Sequence, residues 1–535
     1  MFIALRRFHG VLLLAVLLAV AGIGWRFAVH DGLSSFADDS VSYLLMGQYL
    51  SPWSEGGPAV REAYAEQAYP PLLPLVLAVT GAAHSVVAAH VMVLVCLLGV
   101  CLLVYRFAAA ELDSPALGLV ATVLFAVSPA VWINVLGILS ENLYLLLSLA
   151  VLLAEGRWRR TGGAARTGLL LGGLLGACVL TRTIGVSLVL AFCALGAHRS
   201  ARGGFSAGVP WALPAAAALA LVVVGHALWP GALTEHYLSI WSRVWQGLGA
   251  GEDGEWSLVA HVGPQLTALY EAWYTSWLIY WVHVTDVRYL ATAGFGFLAL
   301  VGLGLRARAG GIDAWYVIFY LLVLLLWPAP GQMTRFVYPI LPLSVVHALY
   351  ALRTLAALTP RIRRPRVVAA AGALMMALLV APSVAFLYHR AQAPDDRRIT
   401  EYYRHPDLTQ ARAAAAEQRA MFRDMKRIRR STPATARVLW FTPAYIALLA
   451  DRRGERLPWR GDRATYVEAV RRTQAEYVYL SRLNPRMTGD AFDGLRLLPR
   501  FRGWTRAVWV RRSAGDGAVA AVLLRVDRER LRTLP

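Results

Sequence analysis

A few residues, far apart in the chain, have the types that proton transfer and anion binding need: Asp38, Asp39, Tyr43, Tyr69, Glu141, Arg182 and Arg335. A carboxylate can take a proton from a hydroxyl. A guanidinium offers a planar fork to a phosphate or carboxylate and stays charged where the dielectric is low. Asp39 and Tyr43 stand four apart in Phe36-Ala37-Asp38-Asp39-Ser40-Val41-Ser42-Tyr43-Leu44, which places them on one face of a helix. An Asp ahead of an apolar run is also a good N-cap, and the motif alone carries both readings.

These residues must be positioned by membrane-spanning elements. Hydrophobic residues make up 57% of the 535-residue chain and charged ones 16%, with a mean hydropathy of +0.50. A soluble globule carries about 25% charged residues, so the composition implies an integral membrane protein. It excludes a soluble enzyme, a disordered chain and a secreted disulfide scaffold. The four cysteines (Cys96, Cys101, Cys178, Cys193) lie in apolar runs and read as core hydrophobes. The net charge is +20, carried almost wholly by arginine, and most of the excess follows residue 388. Those arginines suit anionic lipid head groups, an acidic glycan or phosphate rather than nucleic acid.

A spanning helix needs about 20 apolar residues. Runs of that kind fall near 11–29, 84–105, 114–131, 135–154, 167–181, 184–198, 209–229, 289–305, 314–328, 337–352 and 367–387, giving about eleven spans. Trp25-Arg26 follows the first where a cleavage site would need small residues, so it reads as a retained helix. Arg6/Arg7, Arg157–Arg166, Arg199/Arg202, Arg306/Arg308 and Arg353–Arg366 all fall on one side of that threading. The positive-inside rule makes that side cytoplasmic. The expectation is a polytopic α-helical domain over 1–390 with outer loops at 30–83 and 230–288, followed by a small extracytoplasmic α/β domain over 391–535. Strands are expected near Arg437–Phe441, Glu476–Ser481, Trp504–Val510 and Val519–Val526, and short helices at Pro443–Ala450 and Tyr466–Arg472. The apolar stretch Leu72–Gly81 spans about half a bilayer and belongs at the interface.

Depth sorts the charges. Glu141 precedes Arg157 by sixteen positions and Arg182 follows Arg166 by sixteen, about 24 Å of helical rise from the cytoplasmic face. Arg335 and Arg288 stand eighteen positions before Arg353 and Arg306, or about 27 Å. All four converge near the outer interface, level with the acidic residues of the first loop (Asp38, Asp39, Glu62, Glu66). Snorkelling to lipid head groups is the plain alternative for each arginine. A transporter would put its polar residues at the bilayer midplane, where these spans carry Leu, Val, Ala and Gly.

The order of motifs is more specific than any one of them. An acidic pair and Tyr43 come first, followed by Tyr69-Pro70-Pro71-Leu72-Leu73-Pro74, Ser140-Glu141-Asn142-Leu143, Thr181-Arg182 and Arg335-Phe336-Val337-Tyr338-Pro339. In this order the chain resembles the GT-C glycosyltransferases, in particular the branch of protein O-mannosyltransferases and the bacterial aminoarabinose transferase of lipid A. The resemblance implies transfer of a sugar from a polyprenyl-phosphate donor to an acceptor hydroxyl (glycan, lipid or protein) at the outer face of the bacterial cytoplasmic membrane. Carried over by position, it makes Asp39 the base, with Asp38 as the alternative register. Tyr43, Tyr69, Glu141, Arg182 and Arg335 become donor-binding residues, the two arginines facing the phosphate. A divalent metal is the candidate cofactor. The chain departs from the family at Ser40, where a second acid often stands, and at Ala68-Tyr69, where the family has Glu and Lys; a metal or phosphate contact is therefore not carried over to that pair.

Other features carry less. His236, His261 and His283, with Glu235, Glu271 and Asp286, lack a tight ligand spacing and read as loop residues. Trp273, Trp277 and Trp281 recur every four residues, as on an interfacial helix. No phosphate-binding glycine motif is present, which disfavours a nucleotide-sugar donor. An O-antigen-ligase-like transferase using a diphosphate-linked glycan would depend on 230–288 rather than on Asp39. A non-enzymatic membrane scaffold would depend on 388–535.

Overall fold

The computed structural model describes residues 2–30, 32–33, 37–53, 57–65, 69–160, 164–203, 205–228, 239, 242, 258–277, 286–327, 330–358, 377, 379–381, 384, 408–458, 460–482, 493–513 and 517–534. Among these residues, five helices are long and apolar enough to cross a membrane, and six if one bent pair counts as a single span. The helices follow the apolar runs, including Phe2–Phe27, Val86–Glu111, Glu141–Arg160, Ala165–Thr181, Phe205–Leu228, Asp286–Arg308 and Leu341–Leu358. The span expected at 367–387 lies almost entirely outside the described residues.

Two sequence expectations are corrected. The run at 114–131 is not one straight helix: Pro115–Val127 and Pro129–Val135 meet at a 58° bend. Ser128 sits there at φ −58°, ψ 130°, because the ring of a following proline keeps its predecessor out of the helical region. The tryptophan stripe of the second loop lies on the helix Leu258–Trp277, but it turns inward. Trp277 is fully buried and meets Phe295 edge-on at 5.2 Å, while the Trp273 indole N–H donates to the Thr292 carbonyl at 3.1 Å. At Trp273 and Trp277 the stripe packs against a neighbouring helix rather than forming an exposed apolar face. Trp281 lies outside the described residues.

Close helix contacts are set by small residues. A Cβ at Gly302 would overlap the His347 carbonyl, and one at Gly172 would meet the Pro214 carbonyl at 2.7 Å. A larger side chain at either position would force the paired helices apart.

The terminal region folds as a five-stranded sheet in the order β2-β1-β3-β5-β4. Its strands are β1 Arg437–Trp440, β2 Arg453–Arg456, β3 Tyr477–Ser481, β4 Thr505–Arg512 and β5 Val519–Val526. β1 runs parallel to β2 and β3, whereas β5 is antiparallel to β3 and β4. The sequence reading missed β2, which reads Arg-Gly-Glu-Arg and has no apolar alternation. The sheet's core does not end at its own boundary. Trp440, Tyr445 and Ile446 share one buried cluster with Val41, Leu44, Leu45, Val60 and Leu77 of the first-loop helices. Arg453 on the edge strand pairs with Glu62 at 3.0 Å. The first loop is thus held between the membrane helices and the sheet.

Candidate functional site

The helix Ala37–Tyr49 opens at the expected place. Its inner face is fixed to the connection before Glu141: the Ile138 N–H donates to Ser40 Oγ at 3.1 Å, and the Tyr43 hydroxyl donates to Ser140 Oγ at 3.0 Å. At the other end, the Gln48 side-chain amide donates to the Ala83 carbonyl at 3.0 Å. Asp39 is held one turn before Tyr43 with its side chain 19% exposed, so it can be reached from outside. The Tyr69 hydroxyl donates to Asp39 Oδ1 at 2.6 Å, and its ring lies 5.1 Å from that of Tyr43.

Glu141 begins the helix Glu141–Arg160 and is wholly buried. Its Oε1 meets both Arg335 Nε and Arg182 Nη1, and Arg335 Nη1 reaches on to Asp39 Oδ2. The four groups form an alternating line, Asp39–Arg335–Glu141–Arg182, with two charges of each sign. Burying such a set is costly unless its geometry is good. Several neighbours supply that geometry. Arg182 donates to Ser140 Oγ at 3.4 Å and lies over the Phe336 ring at 5.4 Å. The Tyr320 hydroxyl donates to the Phe336 carbonyl at 2.9 Å, fixing the backbone beside Arg335. The Tyr338 hydroxyl donates to Asn142 Oδ1 at 2.6 Å.

Burial and the Asp39 charge raise the Tyr43 phenol above its ordinary range. They raise Tyr69 likewise, and its hydrogen bond to Asp39 adds to the effect. Both phenols therefore remain protonated donors through neutral pH.

Six of the seven residues singled out by sequence meet at this place: Asp39, Tyr43, Tyr69, Glu141, Arg182 and Arg335. The side chain of Asp38 lies outside the described residues, as do those of Glu66 and Arg288. The His261 Nε2 lies 3.4 Å from the Leu326 carbonyl; His236, His283 and Glu235 lie outside the described residues. The sequence reading did not single out Ser140 or Tyr320. Ser140 stands inside a quoted motif, and its adjacency to Glu141 was the available signal. Tyr320 sits in an apolar span and gave none.

Among the described residues, no three His, Cys, Asp or Glu side chains gather to hold a metal ion. The two carboxylates nearest to doing so, Asp39 and Glu141, are bridged by the Arg335 guanidinium. That donor set does not fit a divalent metal.

No family model and no curated protein matches the sequence. Solved structures do. The oligosaccharyltransferase of Archaeoglobus fulgidus, tethered with an acceptor peptide, matches 95% of this chain and 74% of its own at TM-score 0.53 and 13% identity. The same enzyme in complex with Zn and sulfate matches 94% and 73% at TM-score 0.52 and 16% identity. ArnT from Cupriavidus metallidurans, bound to undecaprenyl phosphate, matches 96% and 97% at TM-score 0.54 and 10% identity. The chain has the GT-C fold. The likeness takes in the apolar helices and the terminal sheet alike, since it covers nearly the whole length.

Proposed function

We propose that this chain is a glycosyltransferase that moves a sugar from a polyprenyl-phosphate donor to an acceptor hydroxyl at the extracytoplasmic face of the bacterial cytoplasmic membrane. The single observation that carries the reading is a partly exposed carboxylate, Asp39, at the open end of a buried line of alternating charge. The GT-C fold supports it. The proposal includes about eleven spans with the N-terminus cytoplasmic, and a division near residue 390 that leaves 391–535 outside.

Asp39 takes the proton of the acceptor hydroxyl as its oxygen attacks the anomeric carbon. The bond from that carbon to the phosphate oxygen breaks, and its electron pair leaves with the polyprenyl phosphate. Arg335 and Arg182 hold the departing phosphate, whose negative charge grows as the bond opens. Each carboxylate oxygen of Asp39 has lone-pair capacity beyond the one hydrogen bond drawn to it. Tyr69 and Arg335 therefore fix its plane while leaving it able to accept from the acceptor. A single displacement inverts the anomeric configuration.

The test is transfer from a panel of radiolabelled polyprenyl-phosphate sugars in proteoliposomes supplied with membrane lipid and protein extract. Transfer by the wild type and its loss in a folded Asp39→Asn variant would support the reading. Undiminished transfer by that variant would remove the proposed base.

A further inference from the structure

The Arg335 guanidinium lies between two carboxylates that come from distant parts of the chain. Its Nη1 faces Asp39 Oδ2 and its Nε faces Glu141 Oε1, the arrangement in which one cation bridges two acids. The second oxygen of Glu141 is buried and has no hydrogen-bond partner among the described residues. Arg182, on the far side of Glu141, completes a neutral set of two acids and two bases. Among the described residues, the phenols of Tyr43 and Tyr69 stand beside Asp39 and are poor metal ligands while protonated. The imidazole of His90, packed under the same connection, has its ring nitrogens within 3.1 Å of the Val86, His30 and Leu136 carbonyls.

We infer that Arg335 holds the place of a divalent cation between Asp39 and Glu141, so that the site excludes a resident metal while the arginine is present. The reason is electrostatic. A divalent ion entering here would leave the cluster strongly positive beside two guanidinium groups. Like charges in contact repel strongly where water does not screen them, and a divalent ion doubles that repulsion for each neighbour. Without Arg335, Asp39 and Glu141 would border the space its guanidinium leaves with an excess of negative charge, which a hard cation with oxygen ligands would fill. The exclusion follows from the geometry alone; its catalytic consequence, metal-independent transfer, rests on the proposed function.

The test is a Mn2+ titration of the full chain in nanodiscs, read by the electron paramagnetic resonance of free Mn2+. The wild type is expected to leave the free signal intact. Arg335→Met is expected to gain an equimolar site, and Asp39→Asn on that background to lose it again. Equimolar binding by the wild type that Asp39→Asn abolishes would overturn the inference, whatever the fate of the Arg335→Met chain. A folded Arg335→Met chain that binds nothing would overturn it as well. Transfer by the wild type should be unchanged in chelator, and a loss restored by added Mn2+ would again overturn it. A wild type that transfers no sugar under any condition counts against the proposed function instead, and the titration still decides the inference.

Discussion

Asp39, Arg335, Glu141 and Arg182 form one buried charge cluster, and Glu111, Arg306, Asp313 and His347 form another, but the two differ in how completely they are satisfied. In the second cluster, Arg306 grips both oxygens of Asp313, at 2.7 and 3.1 Å, and reaches Glu111 at 2.6 Å. His347 Nε2 lies 2.9 Å from Asp313 Oδ2, and the Asp313 side chain is 1% exposed. Every oxygen of that aspartate has a partner, and the cluster ties four helices together. In the first cluster one Glu141 oxygen has no hydrogen-bond partner among the described residues, and the Asp39 side chain is 19% exposed. The same residue types therefore make a clamp where hydrogen bonding is complete, and a reactive site where capacity is left over.

The sharpest way to break this comparison is activity. Asp39→Asn should lower sugar transfer by about 10²- to 10⁴-fold, the usual contribution of a positioned base, with thermal unfolding in detergent little changed. Asp313→Asn should do the opposite, costing about 3–5 kcal/mol of stability by breaking a buried ion pair and leaving Arg306 only its contact with the partly exposed Glu111, while transfer per folded molecule holds. If Asp313→Asn abolished transfer in a fully folded chain, the second cluster could not be a mere clamp.

Tyr69→Phe removes one hydrogen bond to a charged group, worth about 1.5–3 kcal/mol, and should reduce the turnover number more than it raises KM. The raised phenols give a pH test with a definite sign. Because burial raises the folded-state values of Tyr43 and Tyr69, their contribution to stability is full below the unfolded value of about 10. It is lost as pH rises from there through the raised value. Unfolding measured across that range should show the loss in the wild type and a smaller one in the Tyr43→Phe/Tyr69→Phe chain. The smallest effect is expected at the partly exposed Glu62–Arg453 pair. Glu62→Gln should change stability by less than about 1 kcal/mol, which would show that the buried cluster shared by Val60, Trp440 and Ile446, not the ion pair, joins loop to sheet.

Much of the fold was legible because membrane helices write themselves as long apolar runs. β5 was read at its observed bounds, Val519–Val526, since an apolar run closed by turn residues leaves little choice. β2 was not, because Arg453–Arg456 becomes a strand only through pairing with β1. The bend at Ser128 was recoverable from Pro129, but the inward turn of Trp277 was not. An aromatic stripe at helical spacing is the same pattern whether lipid or another helix faces it.

The sequence by itself determined that Glu141, Arg182 and Arg335 stand at similar helical distances from arginine-rich loops, because helical rise is fixed. It also determined that Asp39 and Tyr43 share a face, a matter of local geometry. Only the tertiary structure decided that Arg335 touches Asp39 and Glu141 together, although they lie 296 and 194 positions away along the chain. Which charges meet depends on the rotation and approach of packed helices. Close contacts such as that of Gly302 with the His347 carbonyl set these, and no periodicity along one helix encodes its partner.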